Sequence, residues 1–229
     1  MFTFDWIYKY IFIADKTDIF VTKLNGENIF YHISNVTHES YTVHEICVNP
    51  IELFILWSES THHKNLGGYI YKANYDGSNK ISLINEGIFM PLTITIDYTI
   101  KRIYWIDFFI KELSSIDYNG KDKKLILNGG ELFSPSQMNL YNGFIYWYNW
   151  ATNSINKVNT KGGEYSASKL YGNFTAFGII HSSRQPNTTN LCTNTHCTHL
   201  CLPLDFIKYR CLCPDINVYH STDNCVDYV

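Results

Sequence analysis

The chain has 229 residues, a formal net charge of −3 and only 17% charged residues. Proteins that bind nucleic acids or anionic membranes cluster Lys and Arg, and this sequence has no such cluster, so we expect neither partner. No apolar run is long enough to span a bilayer. Aromatic residues make up 16% of the chain, and because they favour strands they predict an all-β fold.

Residues 1–181 contain a unit that recurs four times: an apolar strand, an aromatic strand ending in an acid or amide, and a third strand ending near a glycine. The acid or amide is found at Asp15, Glu59, Asp107 and Asn149, at steps of 44, 48 and 42 residues. Fourth strands are predicted in the apolar runs 81–84 and 124–127. This period is typical of β-propeller blades, each a four-stranded meander. A β-sandwich with an aromatic core is the alternative, and the near-constant spacing favours the propeller.

Meander topology places two kinds of loop on one face of such a disc: the turns between second and third strands, and the connections between blades. Loops are normally polar, yet aromatic residues occur in these segments, and four of them stand out. They are Phe89, Phe108, Phe109 and Trp150. Exposed aromatic side chains often anchor a protein partner, so these four define a candidate partner-binding face. The alternative is that the rings fold back over the neighbouring blade.

Six of the seven cysteines lie between Cys192 and Cys225, spaced C-x4-C-x3-C-x9-C-x-C-x11-C. So short a segment cannot bury a sufficient core and needs covalent cross-links. Disulfides persist in oxidising compartments, which predicts an extracellular or lumenal protein. Six cysteines allow 15 pairings, and the spacing alone does not select one. His196 and His199 interleave with the cysteines, so zinc is the alternative to disulfides, and the flanking Pro and aromatic positions favour disulfides.

The remaining cysteine, Cys47, lies within a strand and is predicted to behave as a buried apolar residue, with an intermolecular disulfide as the alternative. Three N-glycosylation sequons begin at Asn35, Asn173 and Asn187 and fit an extracellular location. The N-terminal residues lack the features of a signal peptide. We therefore expect the chain to be part of a longer secreted or single-pass membrane protein, reaching the membrane only through the remainder of that protein.

Two groups of residues resemble a known family. Ile103-Tyr104-Trp105-Ile106-Asp107 and the run 70–79 resemble the YWTD, or class B, repeats of the low-density lipoprotein receptor family. The runs 197–203 and 209–214 resemble the epidermal-growth-factor-like (EGF-like) module that follows each YWTD propeller there. The resemblance implies an incomplete six-bladed YWTD β-propeller in residues 1–186. It would comprise about four blades and a closing inner strand at Phe177–His181, followed by a disulfide-rich EGF-like module in residues 187–229.

The resemblance also implies a disulfide pairing and a function. The pairs would be Cys192–Cys201, Cys197–Cys211 and Cys213–Cys225. The function would be an extracellular module for ligand binding or release in an endocytic lipoprotein-receptor-related protein. Its partners would be extracellular protein or lipoprotein ligands and a folding chaperone for YWTD propellers. A Wnt co-receptor-like or nidogen-like adhesion module is the alternative of the same class.

The alternative from another class is a six-bladed propeller enzyme, a calcium-dependent hydrolase. Such enzymes place acidic and amide ligands around the central channel, whereas the predicted inner strands carry mostly Ile, Val, Thr and Leu. We find no nucleophile elbow, no phosphate loop and no zinc-protease motif. The sequence therefore predicts a non-catalytic protein with no catalytic residue, no metal site and no cofactor.

Overall fold

The structure, a computed structural model, describes residues 1–25, 31–33, 41–61, 67–172, 174, 177–212, 218–220 and 225–227. The helical segments of this part are short 3-10 turns at Gly130–Leu132, Ser182–Arg184 and Leu191–Asn194. None of its helices has the length and apolarity required to cross a membrane. The strands are β1 (Phe2–Asp5), β2 (Tyr10–Asp15), β3 (Asp18–Lys23), β4 (Tyr31–Ile33), β5 (Tyr41–Asn49), β6 (Phe54–Thr61), β7 (Gly68–Asn74), β8 (Ile81–Ile84), β9 (Pro91–Asp97), β10 (Arg102–Asp107), β11 (Glu112–Asp117), β12 (Lys124–Asn128), β13 (Pro135–Tyr141), β14 (Phe144–Asn149), β15 (Ser154–Asn159), β16 (Ser166–Lys169), β17 (Leu200–Pro203), β18 (Tyr209–Leu212), β19 (Val218–His220) and β20 (Cys225–Asp227).

The first sixteen strands form four antiparallel meanders of four strands each. We call them blade 1 (β1–β4), blade 2 (β5–β8), blade 3 (β9–β12) and blade 4 (β13–β16). The first strand of each blade is the inner one, and neighbouring inner strands pack β1 on β5, β5 on β9 and β9 on β13. The prediction of an all-β propeller with four blades in this chain is confirmed. The predicted fourth strands at 81–84 and 124–127 are β8 and the main part of β12.

The aromatic second strands hold the blades together. Trp57, Trp105 and Trp147 occupy equivalent places in β6, β10 and β14, and each is at most 1% exposed. Each packs into a cluster with apolar side chains of the preceding blade. Burying an aromatic side chain removes about 150–250 Å² from water, so these three residues account for much of the apolar surface buried between blades.

The predicted closing strand at Phe177–His181 is wrong, because these residues form no strand. Phe177 instead lies beside β13, where its backbone N–H donates to the side chain of Gln137. The register of β13 shifts between Ser136 and Asn139, and Gln137 has a positive φ of 46°. Asn139 Nδ2 also donates to the carbonyl oxygen of Phe177 at 3.5 Å. Side chains therefore hold this segment in place of a backbone ladder.

The cysteine-rich segment packs beneath blades 1 and 2. The structure contains the disulfides Cys192–Cys201 and Cys197–Cys211, which are two of the pairs that the resemblance implies. Cys213 lies outside the described residues, so its pairing with Cys225 stays a prediction. Leu200 and Leu202 are fully buried in one cluster with residues of blades 1 and 2. The proposed boundary between residues 186 and 187 thus separates two parts of the chain that share a core.

Candidate functional site

The two faces of the disc differ in what covers them. On one face, the turns that follow the inner strands contact the cysteine-rich segment: Trp6 Nε1 donates to Pro186 O at 2.9 Å, and Asn190 Nδ2 donates to Ile7 O at 3.1 Å. Tyr10 also donates its hydroxyl to the carbonyl oxygen of Cys201. The opposite face carries the turns after the second strands and the connections between blades. The predicted partner-binding residues lie on this opposite face, away from the contacts that the described part of the cysteine-rich segment makes.

We call this open side the aromatic face, defined by Phe89, Phe108, Phe109, Phe133 and Trp150. The rings of Phe89 and Phe109 lie 5.7 Å apart between centroids, and those of Phe108 and Phe133 lie 5.8 Å apart. Phe109 is 52% exposed, Phe133 46% and Trp150 63%. The exposure of Phe109 and Trp150 contradicts the alternative that their rings fold back over a neighbouring blade. Phe89 and Phe108 are half-buried.

A buried carboxylate fixes the loops of this face in blade 3. Asp107 is fully buried at the end of β10. Its Oδ2 accepts the backbone N–H groups of Phe89 at 2.6 Å and Met90 at 3.1 Å. Its Oδ1 accepts those of Phe109 at 2.9 Å and Ile110 at 3.3 Å. One side chain therefore ties the connection between blades 2 and 3 to the turn that follows β10.

The corresponding residue of blade 4 is Asn149, whose side-chain oxygen bonds only to the turn that follows its own strand. Asn149 Oδ1 accepts the backbone N–H groups of Ala151 and Thr152, each at 3.1 Å. The connection before blade 4 is a 3-10 turn, in which the N–H groups of Leu132 and Phe133 bond to Gly129 O and Gly130 O. Because that connection satisfies its own donors, blade 4 does not need a second carboxylate oxygen.

The central opening of the propeller lies among the inner strands and has a volume of about 550 Å³. Glu45 lines it at a register shift of β5, and its Oε2 accepts the backbone N–H of Ile94 at 2.7 Å. Removal of this carboxyl from water raises its pKa to about 7, and hydrogen bonds from Thr93 and Ile94 offset part of the rise. Glu45 therefore gains or loses a proton near neutral pH.

We predict that Glu45 makes the stability of the protein depend on pH. In the unfolded chain the carboxyl has an ordinary pKa near 4.5, so between about pH 4.5 and 7 only the folded state keeps the proton. The free energy of unfolding should fall as the pH rises through this window and then level off. Since one pKa unit corresponds to about 1.4 kcal/mol, the fall has an upper limit of about 3 kcal/mol.

Denaturant unfolding at several pH values between 5 and 8 checks this prediction. Glu45→Gln should remove most of the fall and be more stable than the wild type at pH 8. Glu86→Gln is the matched control, because Glu86 is an exposed glutamate in a loop and its replacement should leave the pH profile unchanged. An unaltered profile in Glu45→Gln would contradict the assignment.

The other predicted sites fall in different places. Asn187 is exposed and stays a predicted glycosylation site, while Asn35 and Asn173 lie outside the described residues. Cys47 is a free, half-buried thiol packed against the cluster between blades 2 and 3, and its Sγ lies 3.4 Å from Ile94 O. Burial raises the pKa of Cys47 well above its ordinary value. Cys192, Cys197 and Cys201 form disulfides, which leaves the zinc alternative without thiolates.

Sequence reasoning missed two roles that the structure places at the centre of the site. The repeat pattern identifies Asp107 but does not show that its side chain joins two loops. A carboxylate between Ile106 and two phenylalanines was a signal that the side chain is buried and accepts backbone hydrogen bonds. Glu45 was not predicted as a functional residue, because the prediction for the inner strands rested on their apolar residues. Among the described residues, no three His, Cys, Asp or Glu side chains lie close enough to share a metal ion.

Together, the four meanders and the cross-linked segment define a β-propeller attached to a small disulfide-rich module. No protein-family profile matches the chain. The vitellogenin receptor Yl of Drosophila melanogaster is 25% identical to it over 225 residues, which cover 92% of this chain and 10% of the receptor. Human low-density lipoprotein receptor-related protein 4 is 35% identical over 127 residues, which cover 53% of this chain and 6% of that protein.

Solved structures give the same fold. The nidogen/laminin complex matches 66% of this chain and 55% of the matched chain, with a TM-score of 0.56 and 19% sequence identity. The match to the calcium-binding protein regucalcin of Agrobacterium tumefaciens covers 71% of this chain and 57% of the regucalcin chain, with a TM-score of 0.58 and 12% sequence identity. At these identities the likeness concerns the fold alone.

The chain is homologous to two vitellogenin receptors and to low-density lipoprotein receptor-related protein 4. It spans only about a tenth of the length of the vitellogenin receptors that it matches. The receptor relatives and the two disulfides support an extracellular receptor module.

Proposed function

We propose that the chain is a non-catalytic ligand-binding module of an endocytic receptor, and that its aromatic face contacts an extracellular protein or lipoprotein ligand. One observation carries this proposal: the exposed ring of Phe109 and the half-buried rings of Phe89 and Phe108 lie on two loops that Asp107 holds in place through four backbone hydrogen bonds. Aromatic side chains on a fixed backbone lose little freedom when they bind, which favours affinity. The names of two relatives suggest vitellogenin as a ligand.

The charge of the aromatic face fits a protein ligand. Lys111 Nζ lies 5.7 Å from the ring centroid of Phe133, so a cation borders the apolar patch. Apolar anchors with a polar rim are typical of protein interfaces. An adhesion module that binds a laminin-like protein is the second candidate, because the nidogen/laminin complex shares the fold.

Binding of the chain to purified vitellogenin and to purified laminin tests the proposal. We expect one of the two to bind, and the triple variant Phe108→Ala, Phe109→Ala, Trp150→Ala to weaken binding at least about tenfold, as loss of interface anchors does. The matched control is Phe206→Ala with Ile207→Ala, since these residues are 63% and 82% exposed and belong to the module. Equal binding by the triple variant and the wild type would exclude the aromatic face.

Release of the ligand on acidification is a finer part of the same proposal. Repeating the measurement at pH 5.5 tests it, and a Kd that does not change with pH would contradict it. The enzyme alternative predicts calcium binding, which calorimetric titration of the wild-type chain with calcium would reveal. Heat of binding at one strong site would favour that class over the receptor module.

A further inference from the structure

Tyrosine side chains fill the clefts between blades on the face that contacts the module. Tyr75 of blade 2 is fully buried, and its hydroxyl donates to Asp5 Oδ2 of blade 1 at 2.6 Å. Tyr118 of blade 3 is 7% exposed, accepts a hydrogen bond from Asn49 Nδ2 of blade 2 at 3.1 Å, and donates to Asp97 O at 3.0 Å. Each ring therefore comes from one blade and bonds to the Asp or Asn that ends the inner strand of the preceding blade.

Among the described residues, blade 4 supplies no such ring to the cleft between blades 3 and 4. The turn after the third strand is the same in blades 2, 3 and 4: the N–H of Gly77, Gly120 and Gly162 bonds to the carbonyl oxygen three residues earlier, at 3.0, 3.1 and 2.9 Å. In blade 4 the residue at the position of Tyr75 and Tyr118 is Thr160. Threonine provides neither the ring nor the reach of the two tyrosines.

A cavity of about 580 Å³ occupies this position. It lies within the range of about 300–1,000 Å³ that ligand pockets have. Its lining includes Asp97, Ile100, Tyr141 and Thr160, with Lys161 and Arg184 supplying positive charge. Asp97 ends its inner strand as Asp5 does, and its Oδ1 accepts the N–H groups of Thr99 and Ile100. Its Oδ2 corresponds to the oxygen of Asp5 that receives a tyrosine hydroxyl.

We propose that this cleft binds a tyrosine side chain of a partner polypeptide, whose hydroxyl donates to Asp97 Oδ2. The incoming ring would take the place that Tyr75 and Tyr118 fill in the other two clefts. A polypeptide suits the site because the cavity extends past one ring toward Asn142 and Arg184, which can bond to a peptide backbone. The site lies on the opposite side of the disc from the aromatic face and does not depend on it.

The test uses the pentapeptide Gly-Gly-Tyr-Gly-Gly and its phenylalanine analogue as probes, titrated into the isotope-labelled chain and followed by amide resonances. All samples carry Asn187→Gln, so that a glycan at the rim cannot block the cleft. We expect shifts at Gly143 and Thr160 and at least about tenfold weaker binding of the phenylalanine peptide, which lacks the hydroxyl. Equal affinities, no binding, or shifts confined to other residues would overturn the proposal.

Two variants separate the cleft from the rest of the surface. Thr160→Tyr should supply the missing ring, abolish peptide binding and raise the melting temperature. Thr160→Ser is the matched control, since it keeps the hydroxyl and leaves the cleft open, and it should bind the tyrosine peptide as the parent does. Binding that survives in a folded Thr160→Tyr would also overturn the proposal, and the resonance mapping decides the question if that variant does not fold.

Discussion

Replacing Asp107 by asparagine is expected to lower the free energy of unfolding by about 3 kcal/mol. The substitution puts an NH₂ group where Oδ2 accepts the N–H groups of Phe89 and Met90. Two backbone donors then lose their partner and face another donor, and each unsatisfied buried group costs about 1–3 kcal/mol. Chemical denaturation measures the loss. Hydrogen exchange should also show faster exchange at residues 89 and 90 than at residues 109 and 110, which Oδ1 serves.

Asp117→Asn is the matched control for this prediction. Asp117 accepts the N–H groups of Asn119 and Lys121 through Oδ1 alone, so an amide can keep both bonds. We expect a change below about 0.5 kcal/mol, typical of a surface substitution. Similar losses in the two variants would mean that the charge and not the second acceptor matters.

Leu202→Ala is expected to destabilise the propeller as well as the module, by about 3 kcal/mol. Leu202 lies in the cysteine-rich segment but is fully buried in the cluster that contains Tyr8 and Tyr10 of blade 1. Truncation of a buried leucine to alanine costs about 2–5 kcal/mol, because it removes apolar contacts and leaves a cavity. Thermal unfolding followed by tryptophan fluorescence reports on the blades, where the buried tryptophans lie, and should show a lower midpoint.

The control for Leu202 is Ile207→Ala in the same segment, where the side chain is 82% exposed. It should leave the midpoint unchanged. Unfolding in two separate transitions would contradict the prediction if Leu202→Ala left the transition seen by tryptophan fluorescence unchanged and lowered only the other one. Module and propeller would then unfold independently. That result would favour the boundary between residues 186 and 187 as a boundary between autonomous folding units.

The blades were predictable because their signal repeats. Each aromatic second strand, such as Ile103–Asp107, packs against the second strand of the neighbouring blade. Because every blade has the same packing, every blade needs the same pattern of apolar and aromatic residues. The conformation of Phe177–His181 was not predictable from its apolar residues, because side chains of the distant strand β13 and not a backbone ladder hold Phe177. Local pattern contains no information about that partner.

The candidate site was predictable only in outline. Meander topology placed Phe108 and Trp150 on one face, since strand order alone decides which loops share it. The exposure of each ring depends on contacts between loops that are far apart in sequence, such as Phe108 with Phe133. The raised pKa of Glu45 likewise follows from enclosure by neighbouring strands, and no short stretch of sequence encodes it.

The bonds beneath blade 1 have a consequence for biosynthesis. Blade 1 is the earliest-made of the four blades, yet its underside is completed by Asn190 and Cys201, 183 and 191 residues after their partners. At about 5–20 residues per second, the ribosome needs roughly 10–40 s to supply them. Throughout that interval the underside of blade 1, including Tyr8 and Tyr10, lacks the segment that covers it. The tyrosines of blade 1 therefore reach their final surroundings only after almost the whole chain has been made.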